Sequence, residues 1–287
     1  MRRRRRGLAA PIIVVALTLL SACGSDDASV TTVTDGWDSP TAGVAAGAPS
    51  ITAPDGDPPT ELQITDLETG DGTAAATGDL VVVNYIGALF DNGVVFDSSF
   101  DRAPFSVTLG QGNVIAGWDE GIVGMKPGGT RQLIIPPDMA YGSQARGNIP
   151  ADSTLIFNVT LNTVLTRPTD IAPVEGGTVD ELRTTDLVVG DGEEATATSE
   201  VSLHYEAVHG SDATTFDSSF ERGQSFDVTL GQHQVIEGFE QGIVGMRVGG
   251  RRRIEIPAAL GYGDTGAGTA VAPGETLVFI VDLVAVN

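Results

Sequence analysis

Hydrophobic positions recur with two periods along this 287-residue chain. In VIAGWDEGIVGM, residues 114–125, Ile115, Trp118, Ile122 and Met125 lie at spacings of three, four and three, the apolar stripe of an α-helix. The pattern returns as VIEGFEQGIVGM, residues 235–246, with Ile236, Phe239, Ile243 and Met246 in the same places. Other segments alternate or run β-branched. LVVVNYIGAL (80–89) predicts a central strand, and 62–67 and 105–110 alternate. Asp91-Asn92-Gly93 predicts a turn into a returning strand at 94–97, and strands are also expected at 130–135 and 155–165. Gly117, Gly121 and Gly124 each disfavour helix by roughly 1 kcal/mol relative to alanine, so the segment needs a sheet to hold it. Those glycines would let strands approach its backbone closely.

The order of elements repeats. Phe216 follows Phe96 by 120 residues and Tyr262 follows Tyr141 by 121, with VSLHYEAV, TFDSSFER, SFDVTLG, RRRIEIP and TLVFIVDLVAV in step. The expected fold is α+β: two tandem domains, each an antiparallel β-sheet wrapped around one short α-helix. Their boundaries are residues 60–165 and 179–287, joined by a Pro- and Gly-containing linker at 166–178.

The first residues change the picture. Arg2 to Arg6 precede an apolar run from Leu8 to Leu20, too short for a comfortable membrane span, and Leu20-Ser21-Ala22-Cys23 follows. This resembles a bacterial lipoprotein signal: residues 1–22 would be removed and Cys23 would carry the lipid anchor. Residues 23–59, rich in Ser, Thr, Asp, Gly, Ala and Pro, read as a disordered tether. Cys23 is the sole cysteine, so no internal disulfide forms. The net charge of −22 becomes −27 once five leader arginines are gone, which speaks against nucleic acid as a partner. The expected location is extracytoplasmic, anchored to a bacterial cell membrane.

Ordinary catalytic patterns are missing from the sequence. His204, His209 and His233 lack metal-ligand spacing, and there is no phosphate-binding glycine loop or serine elbow, so neither a metal nor a cofactor is expected. Asp119-Glu120 reads as a solvated pair. What recurs is a set of aromatics: Tyr85, Phe96, Phe105, Trp118, Tyr141 and Phe157, then Tyr205, Phe216, Phe226, Phe239, Tyr262 and Phe279. Solid core packing and a concave aromatic cup are equal alternatives for them.

VVVNYIGAL, GVVFDSSFDR with the following PF, VIAGWDEGIVGM, PPDMAYG and IPADSTLIFNVTL together resemble an FKBP-type peptidyl-prolyl cis/trans isomerase, end to end in each repeat. The resemblance implies a proline cup walled by Tyr85, Phe96, Phe105, Tyr141 and Phe157, floored by Trp118 and rimmed by Val114, Ile115 and Ile149. Asp97 would stand at its edge, held by Arg102 and the Tyr85 hydroxyl, while the Ile115 amide takes a substrate carbonyl. In the second repeat the same places fall to Tyr205, Phe216, Asp217, Arg222, Phe226, Val235, Ile236, Phe239, Tyr262, Val271 and Phe279. The implied partners are proline-containing, unfolded or partly folded secreted polypeptides and the family's macrolide inhibitors. Phe239 in place of Trp118, with Ala270 and Val271 on a more flexible lip, predicts a weaker second domain. A non-catalytic binding module for proline segments is the alternative, above all for that domain.

Overall fold

Backbone hydrogen bonds build two six-stranded antiparallel sheets, one in each half of the chain. The structure, a computed structural model, describes residues 50–52 and 56–287. The expected leader, Cys23 and most of the tether lie outside the described residues. In the first half, β1 (Gln63–Glu68), β2 (Leu80–Leu89), β3 (Val95–Ser98), β4 (Phe105–Thr108), β5 (Thr130–Ile135) and β6 (Leu155–Leu165) assemble in the order β1-β5-β6-β2-β3, with β4 also paired to β2. Helix α1 (Ala116–Gly121) lies in the concavity. The second half repeats the plan with β7 (Arg183–Val188), β8 (Glu200–His209), β9 (Thr215–Ser218), α2 (Ser219–Arg222), β10 (Phe226–Thr229), α3 (Glu237–Ile243), β11 (Arg251–Ile256) and β12 (Leu277–Val286). The expected fold class holds in both halves.

The strand β2 forms where the sequence is β-branched, and its alternation sends Val81, Val83, Tyr85 and Leu89 toward Trp118, Ile122 and Leu133. Each fully buried side chain of this size contributes roughly 1.5–3 kcal/mol. Helix α1 is shorter than its apolar stripe. Ile115 and Ile122 are its caps, Gly124 turns the chain at a φ of 84°, and Met125 reaches the core from that turn. The helical glycines give the sheet its approach: a β-carbon on Gly117 would stand 2.5 Å from Ile135 Cγ2, and one on Gly121 2.7 Å from Leu133 Cδ2.

An arginine that the apolar pattern does not register holds the end of each short helix. Arg131, 8% exposed, donates through Nη1 to the carbonyls of Gly121 (2.8 Å) and Val123 (3.0 Å), and through Nε to Asp66 (2.6 Å). Arg252 does the same for Gly242, Val244 and Asp186. These bonds satisfy carbonyls that a helix end would otherwise leave unpaired.

Both connecting segments pack on the sheets. Against the disorder expected of the tether, its residues 50–52 are held: Ile51 packs on Phe90, Ile134 and Ile156, while Gln132 and Asn158 donate to the carbonyls of Thr52 and Ser50 at 3.1 Å each. The linker also docks, with Ile171 and Val174 packed on Val179, Val208 and Val278, and Arg251 Nη2 donating to the Thr166 carbonyl at 2.8 Å. The reason is common to both. The helix covers only the inner face of each sheet, and the apolar groups on the outer face gather a strap of preceding chain.

Candidate active site

The aromatic residues of the first domain converge above α1 from four strands, Phe105 coming from β4. Tyr85 and Phe157 project from the paired strands β2 and β6, Phe96 from β3, and Trp118 rises from the helix. Their rings meet edge to face: Tyr85 and Trp118 at 5.0 Å and 85°, Trp118 and Phe157 at 5.3 Å and 85°, Phe96 and Phe157 at 5.6 Å and 82°. Trp118 and Phe157 are buried at their bases, whereas Phe105 is 38% exposed at the mouth. The rings do not close over one another. They leave a hollow of about 550 Å³.

Of the residues expected at this site, Tyr85, Phe96, Asp97, Phe105, Val114, Ile115, Trp118, Tyr141 and Phe157 line the hollow. Arg102 does not, but it reaches the edge through its partners. Tyr85 Oη donates to Asp97 Oδ2 at 2.5 Å and accepts from Arg102 Nη2 at 2.7 Å, and the same nitrogen donates to Asp97 Oδ1 at 2.7 Å. Burial, then the hydrogen bond to Asp97, pushes the Tyr85 phenol far above its ordinary range, so it remains a neutral donor. Trp118 Nε1 is buried in the floor without a hydrogen-bond partner among the described residues.

Ile149 is misplaced by the sequence reading. It is 7% exposed and belongs to the core, where its backbone closes a tight turn with Arg146 (Arg146 N to Ile149 O at 2.9 Å, the reverse at 2.8 Å). The turn puts Arg146 at the rim instead, with its guanidinium 5.3 Å above the Tyr141 ring. Asp119 is not merely solvated, because its carboxylate accepts from the amides of Gly110 (2.8 Å) and Gly112 (3.0 Å) and ties down the loop that carries Val114 and Ile115.

Gly87 is the residue the sequence reading missed. A β-carbon there would lie 2.6 Å from Phe157 Cε1 and 2.9 Å from Phe96, so its lack of a side chain makes room for the two wall rings. Its signal was available: a glycine inside a buried strand marks a place where something else approaches closely.

The second domain reproduces the edge. Tyr205 Oη donates to Asp217 Oδ2 at 2.5 Å and accepts from Arg222 Nη2 at 2.9 Å, and Arg222 Nη1 donates to Asp217 Oδ1 at 2.6 Å. Phe226, Phe239 and Phe279 surround Tyr205, with Phe239 and Phe279 at 4.9 Å. Phe216, Val235 and Ile236 pack against this cluster, and Tyr262 is 37% exposed. Val271, expected on the lip, is instead 3% exposed in the core, as Ile149 is. Ala207 replaces Gly87, Phe239 supplies no indole donor, and Ala267 stands where the first domain has Arg146. Phe216 is backed by His209, whose Nδ1 is 2.6 Å from Glu275 Oε1.

Comparison with known proteins agrees with this plan. The family profile described as FKBP-type peptidyl-prolyl cis-trans isomerase matches residues 72–162 and again 191–284. Human peptidyl-prolyl cis-trans isomerase FKBP10 is 38% identical over 212 residues, covering 73% of this chain and 34% of that protein. An FK506-binding protein of Streptomyces anulatus is 46% identical over 112 residues, covering 38% of this chain and 90% of its own length. Human peptidyl-prolyl cis-trans isomerase FKBP9 is 34% identical over 212 residues, covering 72% of this chain and 35% of that protein. The chain thus spans about a third of the length of FKBP10 and FKBP9. The crystal structure of the three FKBP domains of wheat FKBP73 aligns with 79% of this chain and 94% of its own at 21% identity, with a TM-score of 0.37. The chain belongs to the FKBP-type peptidyl-prolyl cis-trans isomerase family and carries its domain twice.

Proposed function

We propose that the chain isomerises X-Pro peptide bonds in extracytoplasmic polypeptides, with the first domain the more active. The observation that carries this reading is the 550 Å³ hollow of the first domain, walled by rings and bordered by Asp97. A pyrrolidine ring fits such a space as an apolar body, and no nucleophile is required. The barrier, about 18–20 kcal/mol, is the loss of amide resonance on twisting. A planar amide carries more charge separation than a twisted one, so a dry aromatic cup disfavours the ground state more than the transition state. The Ile115 amide takes a substrate carbonyl outside the twisting amide, where a donor does not favour the planar form. Asp97, held by two donors, presents a fixed field where the dipole of the twisting carbonyl reorients. A million-fold acceleration requires about 8 kcal/mol from these effects together.

The leader motif of Arg2 to Arg6 and Cys23 supports work outside the cytoplasm at a bacterial membrane. Slow X-Pro isomerisation stalls secreted chains there, and this chemistry requires no nucleotide. For the second domain, retention of proline segments without turnover is the second reading, favoured by the extra Ala207 methyl and the missing indole. Proline-peptide isomerisation by the full chain, measured with Asp97→Asn and separately with Asp217→Asn, tests both. The first substitution is expected to remove most of the turnover and the second little. The reverse pattern would overturn the ranking, and turnover unaffected by either would overturn the site. Lipid labelling that persists in Cys23→Ala would remove the anchor.

A further inference from the structure

A second and larger cleft opens beside the first domain's cup and shares Tyr85, Asp97 and Phe105 with it. Its volume is about 1090 Å³, and its far wall comes from the second domain. The start of the linker is pinned by Arg251 on the Thr166 carbonyl and by Arg167 on Glu206 and Glu221. Gly223, at a φ of 63°, lies so near the first domain that a β-carbon on it would be 3.3 Å from Thr108 Oγ1.

Two independent features of this cleft point to an occupant. The first is charge: Asp101 from one domain and Glu200 and Asp227 from the other line it, and none forms a salt bridge among the described residues. Arg102, the cation of the same lining, is already engaged by Asp97. The second is Ser106, which lines the cleft at 5% exposure with an Oγ that has no hydrogen-bond partner among the described residues. A buried hydroxyl without a partner costs about 1–3 kcal/mol, and a polar group entering the cleft would supply one.

We infer that this cleft is the flanking subsite of the proline cup and receives a lysine- or arginine-bearing stretch of the same polypeptide whose proline occupies the cup. Continuity with the cup makes the occupant a polypeptide. The three free carboxylates make it cationic. The second domain thereby contributes to the specificity of the first whether or not it turns substrate over. This inference rests on the isomerase reading above.

The test uses the full chain and proline peptides that differ only in Lys, Ala or Glu at the positions flanking proline on either side. At low ionic strength kcat/KM should favour Lys over Glu by roughly five- to tenfold at one flank, and the preference should fade as salt is added. Glu200→Gln with Asp227→Asn, two exposed positions of the second domain, should lower that ratio at least twofold. A ratio unchanged by the pair overturns the inference while leaving the isomerase reading intact. Failure to isomerise any peptide removes both.

Discussion

A β-carbon placed on Gly87 would stand 2.6 Å from Cε1 of Phe157, closer than any real carbon contact, whereas Ala207 carries that methyl at the same place in the second domain. The position of one wall ring in the first cup therefore depends on a hydrogen in the neighbouring strand. Gly87→Ala should push Phe157 and Phe96 into the hollow, lower kcat/KM about tenfold and destabilise the domain by roughly 1–3 kcal/mol. Isomerisation kinetics alongside denaturant unfolding check it. Full activity in the variant would mean that the ring positions do not matter.

Trp118 contributes an area of ring and an indole N–H without a partner among the described residues, and the two can be separated. Trp118→Phe keeps most of the floor and copies Phe239, so the fold should survive while kcat/KM falls several-fold. Trp118→Ala also opens a cavity and should destabilise by roughly 3–5 kcal/mol. A phenylalanine variant as fast as the parent would show that the indole nitrogen is idle.

Glu206 is a carboxylate with 1% of its side chain exposed, at the position that Ile86 occupies in the first domain. Burial pushes its pKa up, but hydrogen bonds from Arg167, Ser218 and Thr215 outweigh that and hold it below the ordinary carboxylate range. Its stabilisation is present above the ordinary carboxylate pKa and is lost as pH falls through the lowered one. Arg167→Met should destabilise the second domain by about 2 kcal/mol, less than a fully buried pair because Arg167 is 38% exposed. Adding Glu206→Ile should recover at least half of that loss, as measured by urea unfolding. No recovery in the double variant would show that Arg167 acts through something other than the buried charge.

His204 is fully buried, with Nδ1 3.1 Å from Ser219 Oγ and Nε2 unpartnered among the described residues. Burial lowers its pKa to about 4 from an ordinary 6.5, with Asp227 working against that shift and Arg222 with it. Above pH 6.5 the ring is neutral in both folded and unfolded chains. Between that pH and about 4 the unfolded chain takes up a proton that the folded domain refuses. Stability should therefore fall by about 1.4 kcal/mol per pH unit on acidification through this window. His204→Asn, which installs the residue found at Asn84, should flatten that part of the profile. Equal slopes in parent and variant, measured by unfolding at pH 7 and pH 5, would falsify the assignment.

Most of the architecture was legible before any coordinates. The strand 80–89, the hairpin at Asn92-Gly93 and the two apolar stripes follow from residue type and period, because local sterics and the burial of one face act within a few residues of each other. The repeat then doubled every inference. The aromatic list was legible too, since the same residue types recur at the same offsets in both halves.

The sequence by itself determined two α+β domains and a recurring aromatic set, since these depend on near neighbours in the chain and on repetition, while the Asp97–Arg102 pair at its edge followed from the family resemblance. It left open whether the rings packed solid or stood around a hollow. Only tertiary structure decided that, because a hollow depends on where side chains from β2, β3, β6 and α1 stop relative to one another, and Gly87 and Phe157 lie seventy residues apart. Long-range packing likewise placed Ile149 and Val271 in the core, turned Asp119 toward two loop amides and strapped residues 50–52 and the linker across the sheets. Each answers a need that no local pattern registers: an apolar face to be covered, or a buried polar group to be paired.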